Sequence, residues 1–170
     1  MLPCWEEEEE EEQTLRAAVA NAALRAAVAL WFDDNAAAVA RYGPIGDWDT
    51  RDVKSMRALF EHRADFNEDI GRWNVGSVED MHAMFHGATK FNQRLDKWDV
   101  SSVTDMSYMF FNAASFNQPL WWDVRSVEHM NCMLAGAASL NQLVTLCSFD
   151  LVLPSPSPSA CARVHAVPPY

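Results

Sequence analysis

The same residue types return in this chain every twenty-five positions. Trp48, Trp73 and Trp98 are evenly spaced, and Trp122 follows one residue early. Met56, Met81 and Met106 keep the same interval, as do Phe66, Phe91 and Phe116, and Asn67, Asn92 and Asn117. A fixed period of roughly 20–50 residues marks an array in which each unit buries its apolar face only against its neighbours. Residues that recur are then parts of a frame. Residues that change from unit to unit are the candidates for function.

The units run 45–69, 70–94 and 95–119, and a fourth starts at Leu120, one residue short before its tryptophan, and ends near Gln142. In the third unit Val103, Met106, Met109 and Phe110 fall on one face at helical spacing. The matching sets are Val53, Met56, Leu59, Phe60, then Val78, Met81, Met84, Phe85, then Val127, Met130, Met133, Leu134. This spacing predicts one short helix per unit. Ser77 to Asp80 and Ser102 to Asp105 fit a capping box ahead of it, and Gly87, Asn112 and Gly136 suit the chain reversal after it. Phe116-Asn-Gln-Pro-Leu120, apolar at its ends, predicts a short strand or extended segment. The expected fold class is α/β, a short solenoid over 45–145 with one short strand and one short helix per repeat.

Ahead of the array, Leu15, Val19, Ala22, Ala23, Ala26 and Leu30 recur at helical steps in an alanine-rich stretch that predicts a helix ending near Phe32. Asp34 is placed to cap a second helix from Asn35 to Arg41, which Gly43-Pro44 ends. Residues 13–44 are thus expected to form a helical N-terminal cap over the first unit. Residues 1–12 read as an acidic disordered tail, and 146–170 as a Pro/Ser-rich disordered tail. The formal net charge is −11, of which the run Glu6 to Glu12 supplies seven, leaving about −4. No basic footprint for nucleic acid is present. No signal peptide is visible, no stretch is expected to span a membrane, and the chain as written reads as cytosolic. The four cysteines show no CxxC spacing, and Cys132 is expected to be a small buried residue.

The Trp-Asp pairs do not make a WD40 array, whose blades need about 40–45 residues. The asparagine column predicts a ladder in which each side chain bonds backbone of the adjacent unit. His82 and His86, four apart beside Glu79 and Asp80, have a spacing compatible with zinc. Their columns hold unrelated residues in the other units, as an exposed face should, so no metal is expected. No G-x-S-x-G, P-loop or dinucleotide turn is present, and neither catalytic residues nor a cofactor are expected. The changing columns are Asp47, Arg72, Lys97, Trp121 and Arg57, His82, Ser107, Asn131. Trp121 and Phe111 break their patterns, either as exposed anchors or as seals for the last unit. The candidate contact residues are therefore Trp121, Phe111, Arg72, Lys97, His82 and Ser107. They point to a non-enzymatic, monomeric scaffold for a protein partner.

The runs FNEDIGRWNVGSVEDMHAMF, FNQRLDKWDVSSVTDMSYMF and FNQPLWWDVRSVEHM resemble the BspA-like leucine-rich repeat surface proteins, which carry the DUF285-type repeat. The resemblance covers about residues 45–143, and the helices running into YGPIGDWDTRDVKSMRALF are similar to the opening of microalgal members. It implies a leucine-rich-repeat-like solenoid at a cell surface or secreted, with roles in adhesion or protein binding and no catalytic residues. A surface adhesion protein whose secretion signal is missing is the alternative to an intracellular scaffold.

Overall fold

Two helices open the chain, α1 (Cys4–Asp33) and α2 (Asn35–Tyr42), followed by a 3-10 turn (Ile45–Asp47). A computed structural model describes residues 4–142, 144–147 and 162–163, and the side chains of 14–142. Most of the segment expected to be a Pro/Ser-rich tail lies outside the described residues. Strand β1 (Leu120–Asp123) pairs in parallel with β2 (Val144–Cys147), Leu120 opposite Val144, and β2 pairs antiparallel with β3 (Ala162–Arg163). The glutamate run lies within α1 instead of forming a disordered tail. Glutamate is a good helix former, and its charge is favourable near a helix N-terminus.

The short helices expected in each unit are replaced by consecutive turns. A helix would send each amide to the carbonyl four residues back. Here the Leu59 amide reaches only three back, to Met56, and the pattern repeats at Met84 to Met81, Met109 to Met106 and Met133 to Met130. Amides between them cross to the next unit: Met56 to Asp80, Ala58 to His82, Phe60 to Met84 and His62 to His86, at 2.7–2.9 Å. The same ladder joins units two to three and three to four. Polar side chains help deny the helix. The Asp80 carboxylate accepts the His82 amide (2.9 Å) and Asp105 accepts that of Ser107 (2.8 Å), drawing off donors that a helix would use. Each turn carries a positive φ at its third residue: Ala58, Ala83, Tyr108 and Cys132 in one column, and His62, Gly87, Asn112 and Gly136 in the other. Glycine fits that second column because it has no Cβ to strain, and asparagine because its short polar side chain tolerates the left-handed region.

In the segment expected as a short strand or extended chain, Leu120 opens β1, and Phe116 to Pro119 meets its neighbours through side chains. Asn67 Oδ1 accepts the Asn92 amide (2.9 Å), Asn92 that of Asn117 (2.8 Å) and Asn117 that of Asn141 (2.8 Å). Gln93 and Gln118 donate to the same asparagines. The asparagine ladder predicted from spacing is present.

Three aromatic columns run through the core. Phe60, Phe85 and Phe110 stack at 5.6 and 5.3 Å, and Phe66, Phe91 and Phe116 at 5.8 and 6.2 Å. Trp48 stacks on Trp73, and Trp98 on Trp122, at 6.4 Å each. The indoles of Trp73, Trp98 and Trp122 donate to the carbonyls of Ile45, Ile70 and Leu95. The Asp or Asn after each tryptophan accepts the amide two residues on, at Arg51, Gly76, Ser101 and Arg125, which turns the chain.

Helix α1 completes the stack at its first unit. Phe32 packs edge-on against Phe60 and Phe66, and Trp31 against Trp48, so the two rings cap all three columns. Asn21 Oδ1 accepts the amides of Lys54 (2.9 Å) and Ser55 (3.2 Å). In the next unit Glu79 and Asp80 give those bonds to the Lys54 carbonyl. One helical turn on, Arg25 donates to the Arg57 carbonyl (2.8 Å), whose counterpart at His82 receives the Ala58 amide. A side-chain acceptor and donor thus stand in for the missing preceding unit. Asp34 caps α2 by accepting the Ala37 amide (2.9 Å), and Gly43 (φ 74) ends it. One stretch of α1, Thr14–Asp33, is long and apolar enough by length and composition alone to cross a membrane, as a core helix or a signal sequence also can be. Its Leu24, Ala27 and Val28 are buried in the core.

Candidate functional site

The six candidate residues fall on three columns. Arg72 and Lys97 are exposed on successive units, and Trp121 follows on β1 with 59% of its surface open while Trp122 beside it is buried. Strand alternation explains that pair: neighbouring side chains on β1 leave by opposite faces. Asp47 heads the column and pairs with Arg72 (2.8 Å). This is an exposed strip carrying charge at its start and an indole at its end.

The second column is open at its ends, Arg57 and Asn131, and covered at its middle. His82 is half-buried, with Nδ1 3.4 Å from Asp105 and its ring edge-on to Tyr108. Ser107 is buried, and its carbonyl receives the Ala83 amide. Ser107 is therefore removed from the contact residues. Arg57 lies 3.4 Å from Asp80 and 3.7 Å from Asp105, so these carboxylates are met by cations across units. Burial works to raise the Asp105 carboxyl, but the Ser107 amide, His82 and Arg57 together hold it below the ordinary carboxylate value.

Phe111 belongs to the third column and is only half-exposed. It packs edge-on against Tyr108 (5.6 Å) and His86 (5.2 Å). Tyr108 is the exposed aromatic here, held at φ 60. Only its departure from the alanines at positions 58 and 83 signals it in the sequence. Cys132, expected to be buried, is an exposed free thiol, since the fourth unit has no described unit beyond it.

The His82–His86 pair read from spacing does not come together as a ligand set. Without a helix, the four-residue interval no longer aligns the two rings. His86 meets unit one instead: its Nδ1 is 2.9 Å from Glu61 Oε1, and its ring centroid is 4.6 Å from that of His62. His62 Nε2 lies 3.9 Å from the same Glu61 oxygen. Glu61, His62 and His86 offer ligand atoms within 4.8 Å of one another. Sequence alone hid this cluster because its residues are joined by the cross-unit ladder.

Asp96, Asp99 and Asp123 line the turn side of the stack with depressed carboxyl pKa values. Hydrogen bonds from Arg94, Ser101 and Arg125 respectively are the leading causes.

No curated protein and no solved structure matches this chain. The family model described as a Mycoplasma protein of unknown function, DUF285, matches residues 28–146, which takes in the end of α1, α2 and the repeat columns up to β2; the chain belongs to that family.

Proposed function

We propose that the chain is a non-enzymatic scaffold, a short leucine-rich-repeat-like solenoid that binds a protein partner through the strip Arg72, Lys97 and Trp121. The supporting observation is Trp121, an indole left 59% exposed on a strand whose next residue is fully packed. Tryptophan and arginine are the residues most enriched at binding hot spots, and repeat frames build contact faces from their changing columns. The partner segment would place an apolar side chain on Trp121 and a carboxylate at Lys97. Such a partner, isolated with the full chain from its native host, should bind Trp121→Ala at least about tenfold more weakly. Equal binding by wild type, Trp121→Ala and Lys97→Ala would refute the assignment.

Surface adhesion is the second reading, and the apolar stretch Thr14–Asp33 near the N-terminus favours it, since a secretion signal has that composition. Against it, cleavage after this stretch would strip Asn21, Arg25, Trp31 and Phe32 from the first unit. Detection of residues 14–33 in the mature native protein favours the scaffold; their absence favours the adhesin.

A further inference from the structure

We propose that Glu61, His62 and His86 form a binding site for a divalent transition metal, best suited to zinc. Three features of unit one and its junction with unit two carry this. The first is convergence. The His62 amide donates to the His86 carbonyl (2.7 Å), so the ladder itself fixes the two histidines side by side. Glu61 Oε1 then sits 2.9 Å from His86 Nδ1 and 3.9 Å from His62 Nε2. Tetrahedral zinc with nitrogen and oxygen ligands near 2.0–2.2 Å separates its donors by about 3.3 Å, between those two distances. A small rotation of the His62 ring, whose side chain is 69% exposed, closes the longer one.

The second feature is conformational. His62 has φ 57 at a position where units two and four hold glycine and unit three asparagine. Imidazole contributes little packing there and carries strain that glycine would relieve.

The third is the space opposite. A Cβ built on Gly87 would lie 2.8 Å from His62 Nδ1, so any larger residue would displace the ring from Glu61. Donor chemistry agrees with zinc: two imidazoles and one carboxylate form a recognised set with a fourth position left for solvent. A zinc bound between Glu61 Oε1 and His86 Nδ1 would replace the hydrogen bond that now joins them at 2.9 Å.

Zinc chloride titrated into the full chain after chelator treatment tests the site by calorimetry, with a thermal melt alongside. One zinc per chain is expected, with a raised Tm. His62→Gly should weaken binding by about a hundredfold or more, beyond the loss typical for residues that only support a ligand. The same variant should melt higher than wild type without zinc, because it adopts the glycine used in units two and four; lost binding then cannot be blamed on lost fold. Glu61→Gln should also lose the zinc, and His82→Ala should keep it. Absence of saturable binding in wild type would overturn the proposal. So would wild-type affinity in His62→Gly, which would place the zinc elsewhere, the glutamate run of α1 included.

Discussion

Replacing Asn21 by alanine sets two effects of opposite sign against each other. Asn21 lies inside α1, where alanine is the better residue by about 0.6 kcal/mol, so helix propensity alone predicts a gain. Its Oδ1, however, accepts the amides of Lys54 and Ser55 at 2.9 and 3.2 Å. A hydrogen bond contributes about 1 kcal/mol net, and a stranded buried donor costs about 1–3 kcal/mol. Lys54 is exposed and its amide can return to water, for a cost of about 0.5 kcal/mol; Ser55 is half-buried, so its amide costs about 1.5 kcal/mol. The sum, about 2 kcal/mol, exceeds the propensity gain and leaves a net loss of about 1–1.5 kcal/mol. In a chain of this size that lowers Tm by about 3–5 °C. Urea denaturation reads it as a lower midpoint at unchanged slope. Ala26→Asn, on the exposed face of α1, should lose only the propensity difference, and Asn21→Asp should stay near wild type because it keeps the acceptor. An Asn21→Ala protein as stable as wild type, or more so, would refute the view that α1 completes the hydrogen-bond ladder.

Two further outcomes test the stack itself. In amide exchange by NMR, Met106, Tyr108, Phe110 and Asn112 should be protected, since each donates to unit four. Met130, Cys132, Leu134 and Gly136 have no partner among the described residues and should exchange fast, while Met133, Ala135 and Ala137 between them exchange more slowly; protection that runs unbroken from 130 to 137 would sink the turn ladder. For pH, the carboxyls of Asp96, Asp99 and Asp123 titrate below the ordinary carboxylate value in the fold, so the unfolded chain binds more protons as pH falls. Their contribution is complete above that value and is lost on acidification through and below it. Asp99→Asn, which copies Asn74 in unit two, should keep the turn and flatten part of this acid loss, and an unchanged acid profile would count against the Ser101 bonds as its source.

The frame was legible where a residue type has one physical use. Asparagine at a fixed interval in an extended segment can bond little but its neighbour's backbone, and the ladder from Asn67 to Asn141 follows. The helices were not legible for an equally physical reason. Val53, Met56, Leu59 and Phe60 are spaced as one face of a helix, but successive three-residue turns bury the same positions. Sequence spacing records which side chains face the core and not where each amide goes. The difference between the two structures lies in the amides of Met56, Ala58, Phe60 and His62, which leave unit one altogether. The same ambiguity made His82 and His86 look like partners. On a helix they would be; on the ladder each answers to a residue about twenty-five positions away.

A frame built several times over supplies its own internal comparison. At the second positive-φ column, glycine serves units two and four, asparagine serves unit three and histidine serves unit one. His62 is largely exposed, so glycine there would remove strain and forfeit little packing. On stability alone the imidazole is the poorer choice. Trp121 presents the same case at the other end: the column begins with Asp47, Arg72 and Lys97, which water solvates well, and finishes with an exposed indole, which it does not. Both departures cost free energy that the frame shows how to avoid. On the readings proposed above, each departure is offset by contacts outside the frame, a metal ion for His62 and a partner's apolar side chain for Trp121.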